Sequence, residues 1–167
     1  VPSSARFVYN TDKMLFHMRE TFPGTIFVDG DKIEKLNTKT KETISSLVYP
    51  SWHPSGKYVA FSVNVTKQAF HLNDKNRVEV YDEASDVVVY DVEKHEIVTA
   101  SNIFSKDAFE TFPTFSPDGK TLYFCTAEAR PMPQEYSEVK YNLCSVSFDP
   151  ATRAFGTQVD TLYNAKN

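Results

Sequence analysis

The sequence predicts an all-β protein of antiparallel four-stranded meanders, and three observations carry that expectation. One motif occurs twice. Tyr49-Pro50-Ser51-Trp52-His53-Pro54-Ser55-Gly56-Lys57-Tyr58-Val59-Ala60-Phe61 returns 63 residues later, without a gap, as Phe112-Pro113-Thr114-Phe115-Ser116-Pro117-Asp118-Gly119-Lys120-Thr121-Leu122-Tyr123-Phe124. A fixed internal period marks a chain of stacked units. Nine Tyr and thirteen Phe against only five Gly favour strands over helices or disorder. No stretch shows a helical period, whereas short alternating runs lie between turn signals.

The second copy is the better marked. Residues 110–115 form an extended run that ends in Ser116-Pro117-Asp118-Gly119. Proline fixes φ, aspartate bonds back to its own backbone and glycine accepts φ > 0, so the run turns. Residues 121–126 make the second strand, 142–148 the third and 154–162 the fourth, with a turn at 149–153. The first copy repeats the plan: strands at 47–52, 57–63, 86–92 and 96–99, with His53-Pro54-Ser55-Gly56 as its turn. A degenerate copy opens the chain. Residues 11–18 overlay 55–62 at a shift of 44, and 25–28 and 32–36, around Asp29-Gly30, supply further strands.

Such meanders are apolar on both faces and must stack. Radial stacking makes them blades of a β-propeller, which closes with about four to eight. The expected division is a first blade over 1–46, a second over 47–100 and a third over 101–167. Three blades do not close a ring, so a partial propeller is expected, either as part of a longer protein or completed by self-association through open blade edges.

The repeat also carries a resemblance. Trp52 to Phe61 and Phe115 to Phe124 resemble the TolB-type, WD-like propeller repeat: an aromatic, then Ser-Pro-Asp-Gly-Lys, then an apolar strand ending in Phe. The second copy matches in full. The first has His53 for serine and Ser55 for aspartate, which is expected to loosen the turn. The resemblance implies a propeller, a periplasmic or envelope setting, and protein binding, at times beside an enzymatic domain such as a polysaccharide lyase or peptidase. The whole chain also resembles envelope proteins of the Bacteroides group. Some of those carry a Cys-x-x-Cys-His haem motif upstream, which this chain lacks, and no cofactor is expected.

The net charge of −4 argues against nucleic acid, whose phosphates call for a basic stripe. No run of about 18 apolar residues exists, so no membrane-inserted helix is expected. Cys125 and Cys144 sit in apolar strand patterns and read as buried thiols, with a cross-strand disulfide as the alternative. Trp52 and Phe115, at matching positions, read as core between blades. Asp29, Asp31 and Glu34 lack the ligand spacing of a calcium loop and read as a hairpin turn. His17 and Met18 are metal-capable but alternate as ordinary strand residues. No Gly-x-Ser-x-Gly elbow is present, and no catalytic residue is assigned.

In a meander, the loops after strands two and four share one end of the blade. These hold the insertions, at 64–85, 100–108 and 127–141, whereas the opposite turns are tight. Binding groups gather on long loops of rigid scaffolds. The expected recognition surface is therefore His71, Asp74, Arg77, Glu79, Asp82 and Glu83 on one loop, with Arg130, Glu135, Tyr136 and Lys140 on another. Its partner is a protein or a glycan. A solvated loop with one extra strand is the competing interpretation of 64–85, because Arg77-Val78-Glu79-Val80-Tyr81 alternates.

Overall fold

The computed structural model describes residues 47–70 and 78–165, together with the backbone of four strands at 4–7, 13–18, 24–29 and 32–35. The fold is all-β, three four-stranded antiparallel sheets packed as blades of a partial propeller. The first holds β1 (Ser4–Phe7), β2 (Lys13–Met18), β3 (Gly24–Asp29) and β4 (Lys32–Lys35). The second holds β5 (Leu47–Trp52), β6 (Tyr58–Phe70), β7 (Val78–Asp91) and β8 (Glu96–Val98). The third holds β9 (Ala108–Phe115), β10 (Thr121–Glu128), β11 (Asn142–Asp149) and β12 (Ala154–Tyr163). Strand order follows chain order in each sheet, so every connection is a hairpin.

Sheet-to-sheet contacts set the architecture. β9 lies across β6 and β7 of the preceding sheet and beside β5, while β5 lies beside β1. The first strands of the three sheets are thus neighbours, as strands around a propeller axis are.

The second sheet is buried on both faces, which explains why β6 is apolar on both sides from Tyr58 to Phe61 rather than alternating, with every residue buried as far as Val63. Tyr58, Ala60, Val87 and Val89 pack under Phe115, Leu122, Phe124, Cys144, Val146 and Phe148 of the third sheet. Leu47, Val59, Phe61, Val63, Val88 and Tyr90 form a second cluster on the opposite face. Burial of this apolar area, at about 25 cal/mol per Å², is what holds one sheet to the next. Phe115 is buried as expected, whereas Trp52 is half-buried at the edge of the second cluster.

Two local expectations change. Residues 64–70 and 78–85 are not loop: β6 and β7 run on as paired strands from Asn64↔Ser85 out to Phe70↔Val78, so the strand that the alternation at 78–81 suggested is present and has a partner. The backbone ladder carries the pairing past the point where the apolar pattern stops. The turn at His53 is not loosened either. In the second copy, Ser116 Oγ donates to Asp118 Oδ1 at 2.6 Å and accepts from the Thr121 amide at 3.0 Å. In the first, His53 Nδ1 accepts from the Ser55 hydroxyl at 2.8 Å and amide at 3.1 Å, and Ser55 Oγ takes the Lys57 amide at 3.2 Å. The two substitutions together rebuild the turn. Both cysteines are free thiols, Cys144 buried and Cys125 half-buried. In the β10–β11 register they sit opposite Leu143 and Phe124 rather than each other.

Candidate binding cleft

The repeat that organises the blades also lines a cleft between the first strands of the second and third sheets. This cleft, of about 720 Å³, is lined by residues 49–54 and 112–117, two matching hexapeptides from β5 and β9 with their turns. Each hexapeptide begins with an aromatic-proline pair in mid-strand, and proline cannot donate to a ladder. The strand answers with a bulge. On β5, Val48 pairs Ser62 and Ser51 pairs Ala60, so Tyr49 and Pro50 together oppose Phe61. On β9, Thr111 pairs Cys125 and Thr114 pairs Tyr123, so Phe112 and Pro113 oppose Phe124.

The extra residue takes a left-handed backbone, with φ of 53° at both Tyr49 and Phe112. For a non-glycine residue this costs about 1–3 kcal/mol and persists only where the surroundings impose it. At Phe112 the surroundings are visible. Its amide donates to Ser62 Oγ at 2.9 Å, and Ser62 Oγ lies 3.1 Å from Thr111 Oγ1. A second staple joins the Phe115 amide to Ser51 Oγ at 3.2 Å. The bulges swing the two rings out of their sheets and against each other, with centroids 4.4 Å apart and planes tilted by 44°. They remain 47% and 50% exposed, whereas Tyr58, Phe61, Tyr90, Phe115, Phe124 and Phe148 are buried.

Below the rings the cleft is closed by His53. Its Nε2 donates to the Gly119 carbonyl at 2.9 Å, and its ring stands edge-on to Phe115, Tyr58 and Phe148. With Nδ1 accepting from Ser55, these partners assign the Nε2–H neutral tautomer. Burial lowers the His53 pKa, and the bond to Gly119 only partly offsets this. Among the described residues, no Asp, Glu, Lys or Arg lines the cleft. Those residues present aromatic faces, prolines and the hydroxyls of Ser51, Thr114 and Ser116, and no formal charge.

The residues expected from the loops that are described do not line this cleft. His71, Asp74 and Arg77, and the side chain of Glu79, lie outside the described residues. Asp82 accepts from Asn64 Nδ2 at 2.8 Å and Thr66 Oγ1 at 2.7 Å, clamping the root of the β6–β7 hairpin. Glu83 pairs with Lys67 at 2.6 Å. Beyond them Phe70, Val78 and Val80 are exposed at the far end of the arm. On the other loop Arg130 bonds Glu128 at 2.8 Å and reaches Glu135 at 3.6 Å, Tyr136 opens a short 3-10 turn (Tyr136–Glu138), and Lys140 is exposed. The two segments adjoin at Tyr141, whose hydroxyl is pushed up to about 12 by burial first and by the nearby Asp82 and Cys125 next. The side chains of His17, Met18, Asp29, Asp31 and Glu34 are outside the described residues. Among the described residues no three His, Cys, Asp or Glu side chains converge as metal ligands, and no helix is long and apolar enough to cross a membrane.

No family model and no curated protein matches the chain. Among solved structures, the crystal structure of TolB from Acinetobacter baumannii is similar over 90% of this chain and 40% of its own, at 18% identity and a TM-score of 0.30. This chain thus spans less than half the length of that protein. The propeller architecture stands on the sheet order and the strand contacts rather than on this likeness.

Proposed function

We propose that the chain is a non-catalytic binding module, an arc of a propeller that takes an uncharged, extended polypeptide segment in the cleft between β5 and β9. The observation that carries this is the Tyr49–Phe112 pair: two aromatic rings held at the cleft mouth by strained backbone and left half exposed. Backbone strain of this kind concentrates at ligand sites. The cleft volume falls within the range of about 300–1,000 Å³ typical of such sites. β5 and β9 each stand first in their sheets, leaving one strand edge without a ladder partner. On β9 the amides of Phe112 and Phe115 are already taken by Ser62 and Ser51, so a peptide there gains main-chain bonds from the β5 edge and places apolar side chains on aromatic and proline surfaces. The setting proposed is the bacterial periplasm or envelope, on the strength of the repeat's resemblance. The β6–β7 arm is a second contact surface for the same partner, favoured by its exposed Phe70, Val78 and Val80.

The test is selection from a display library of random dodecapeptides, with a neutral hexasaccharide as the competing probe. Uncharged peptides rich in aromatic residues or proline should be enriched and should lose binding to a Y49A/F112A variant. Enriched peptides that bind the variant as well as the parent would remove the cleft from the account. Saccharide binding that displaces the peptides would reassign its ligand to a glycan.

A further inference from the structure

A carboxylate is sealed into the junction between the second and third sheets. Glu110, on β9, is 2% exposed. Its Oε1 accepts from Ser105 Oγ at 2.9 Å, and its Oε2, also buried, has no hydrogen-bond partner. The charged group that acts on it is Asp86 of β7, which has the same sign. Thr126 of β10 stands opposite it in the ladder, and Ser105 comes from the connection between β8 and β9. The Ser105 and Glu110 amides also donate to this carboxylate, but a carboxylate has about four acceptor sites, and burying an ionised one with an oxygen left unpartnered is costly. Two residues along the strand is the strained Phe112, whose amide is held by Ser62 of the second sheet.

We propose that Glu110 is a proton-operated clasp between the second and third sheets: neutral, it holds β9 against β6 and β7 with Phe112 in place, and ionised, it loosens that strand and the cleft mouth with it. The environment agrees in direction, since burial, with Asp86 adding to it, raises the Glu110 pKa to about 7 from 4.5. The sign follows from linkage. The closed state binds the proton more tightly than the opened state, so closure is fully favoured below about pH 4.5. It weakens as pH rises toward about 7, and no further above that. One proton is released on opening, so the opening equilibrium rises about tenfold per pH unit inside that window.

The experiment is hydrogen exchange of the Phe112 amide by NMR across pH 5 to 8, corrected for intrinsic exchange, and it requires no ligand. The parent protein should lose protection about tenfold per pH unit up to about pH 7 and then level off. The isosteric E110Q variant should show a flat profile. Ser105→Ala removes the donor that favours the ionised form, so its levelling point should move to higher pH. A flat profile in the parent, an unchanged slope in E110Q, or no displacement in S105A would each overturn the proposal. A role limited to packing would change protection at every pH alike and leave the slope untouched. Because exchange is read without a ligand, the clasp stands or fails independently of what the cleft binds.

Discussion

His53 Nε2 and the Gly119 carbonyl lie 2.9 Å apart, so the turn of one repeat is fastened by a side chain of the other. Space for the imidazole exists only because position 119 lacks a side chain. A Cβ built there would overlap the His53 ring, and φ of 72° disfavours any other residue. Gly119→Ala should therefore cost about 2 kcal/mol or more, from left-handed strain and displacement of a packed ring. Urea unfolding measures it. Gly56→Ala carries the strain, at φ of 70°, but displaces no packed imidazole, and should cost less. Equal losses at the two glycines would contradict the latch.

The same imidazole sets an acid limit on stability. Burial holds the folded pKa of His53 below its usual 6.5, so the unfolded chain takes up the proton first. Stability contributed by neutral His53 is present above about pH 6.5 and declines as pH falls from there through the lowered folded value. Protonation also adds a second N–H at Nδ1, facing the Ser55 amide it now accepts from. In an E110Q background, thermal unfolding across pH 4 to 7 should show this decline, and adding His53→Asn should flatten it while lowering stability near neutrality. The Glu110 contribution runs with the opposite sign, so E110Q is the background in which the histidine limb is cleanest.

Strain at the cleft predicts a separation of stability from binding. Phe112→Gly removes a ring that is 50% exposed and relieves a left-handed backbone that only glycine adopts without cost. Stability should stay within about 1 kcal/mol of the parent, or rise, while affinity for a cleft-selected peptide falls at least about tenfold. Calorimetry and peptide titration together check it. A loss of several kcal/mol would mean that the ring is structural.

The arm behaves as a separate, weaker unit. Asp82 takes bonds from both Asn64 and Thr66, and an isolated two-stranded hairpin is marginal in water. Asp82→Ala should cost about 1 kcal/mol locally. Amide protection should fall along 64–70 and 78–84 with little change in the global unfolding midpoint. Equal loss of protection throughout β9–β12 would show that the arm is not separable.

The parts of this fold that were legible are those where residue chemistry acts alone. Ser116-Pro117-Asp118-Gly119 announces its turn, and the two-sided apolar run of β6 announces a buried strand. One strand of the arm was legible in the alternation of Val78-Glu79-Val80-Tyr81, but its partner was not, because past Val65 the pairing rests on backbone ladders and on polar residues such as Thr66, Lys67 and Gln68. The compensated turn at His53 was hidden because the partner of its ring, Gly119, lies 66 residues away. The cleft had a signal that went unused. An aromatic-proline pair in mid-strand, present in both copies, points to a bulge, and a repeated bulge points to paired rings. Glu110 left no trace in the sequence, since a glutamate at a strand start ordinarily faces water and only the adjoining sheet buries it.

The most direct measurement is NMR chemical-shift mapping of a library-selected uncharged peptide on the labelled protein. The perturbed amides should be those of Tyr49, Ser51, Trp52, His53, Phe112, Thr114, Phe115 and Ser116, and the Trp52 indole N–H should move with them. Shifts confined to 64–85 and 127–141, with the cleft amides unmoved, would contradict it and place recognition on the long connections instead.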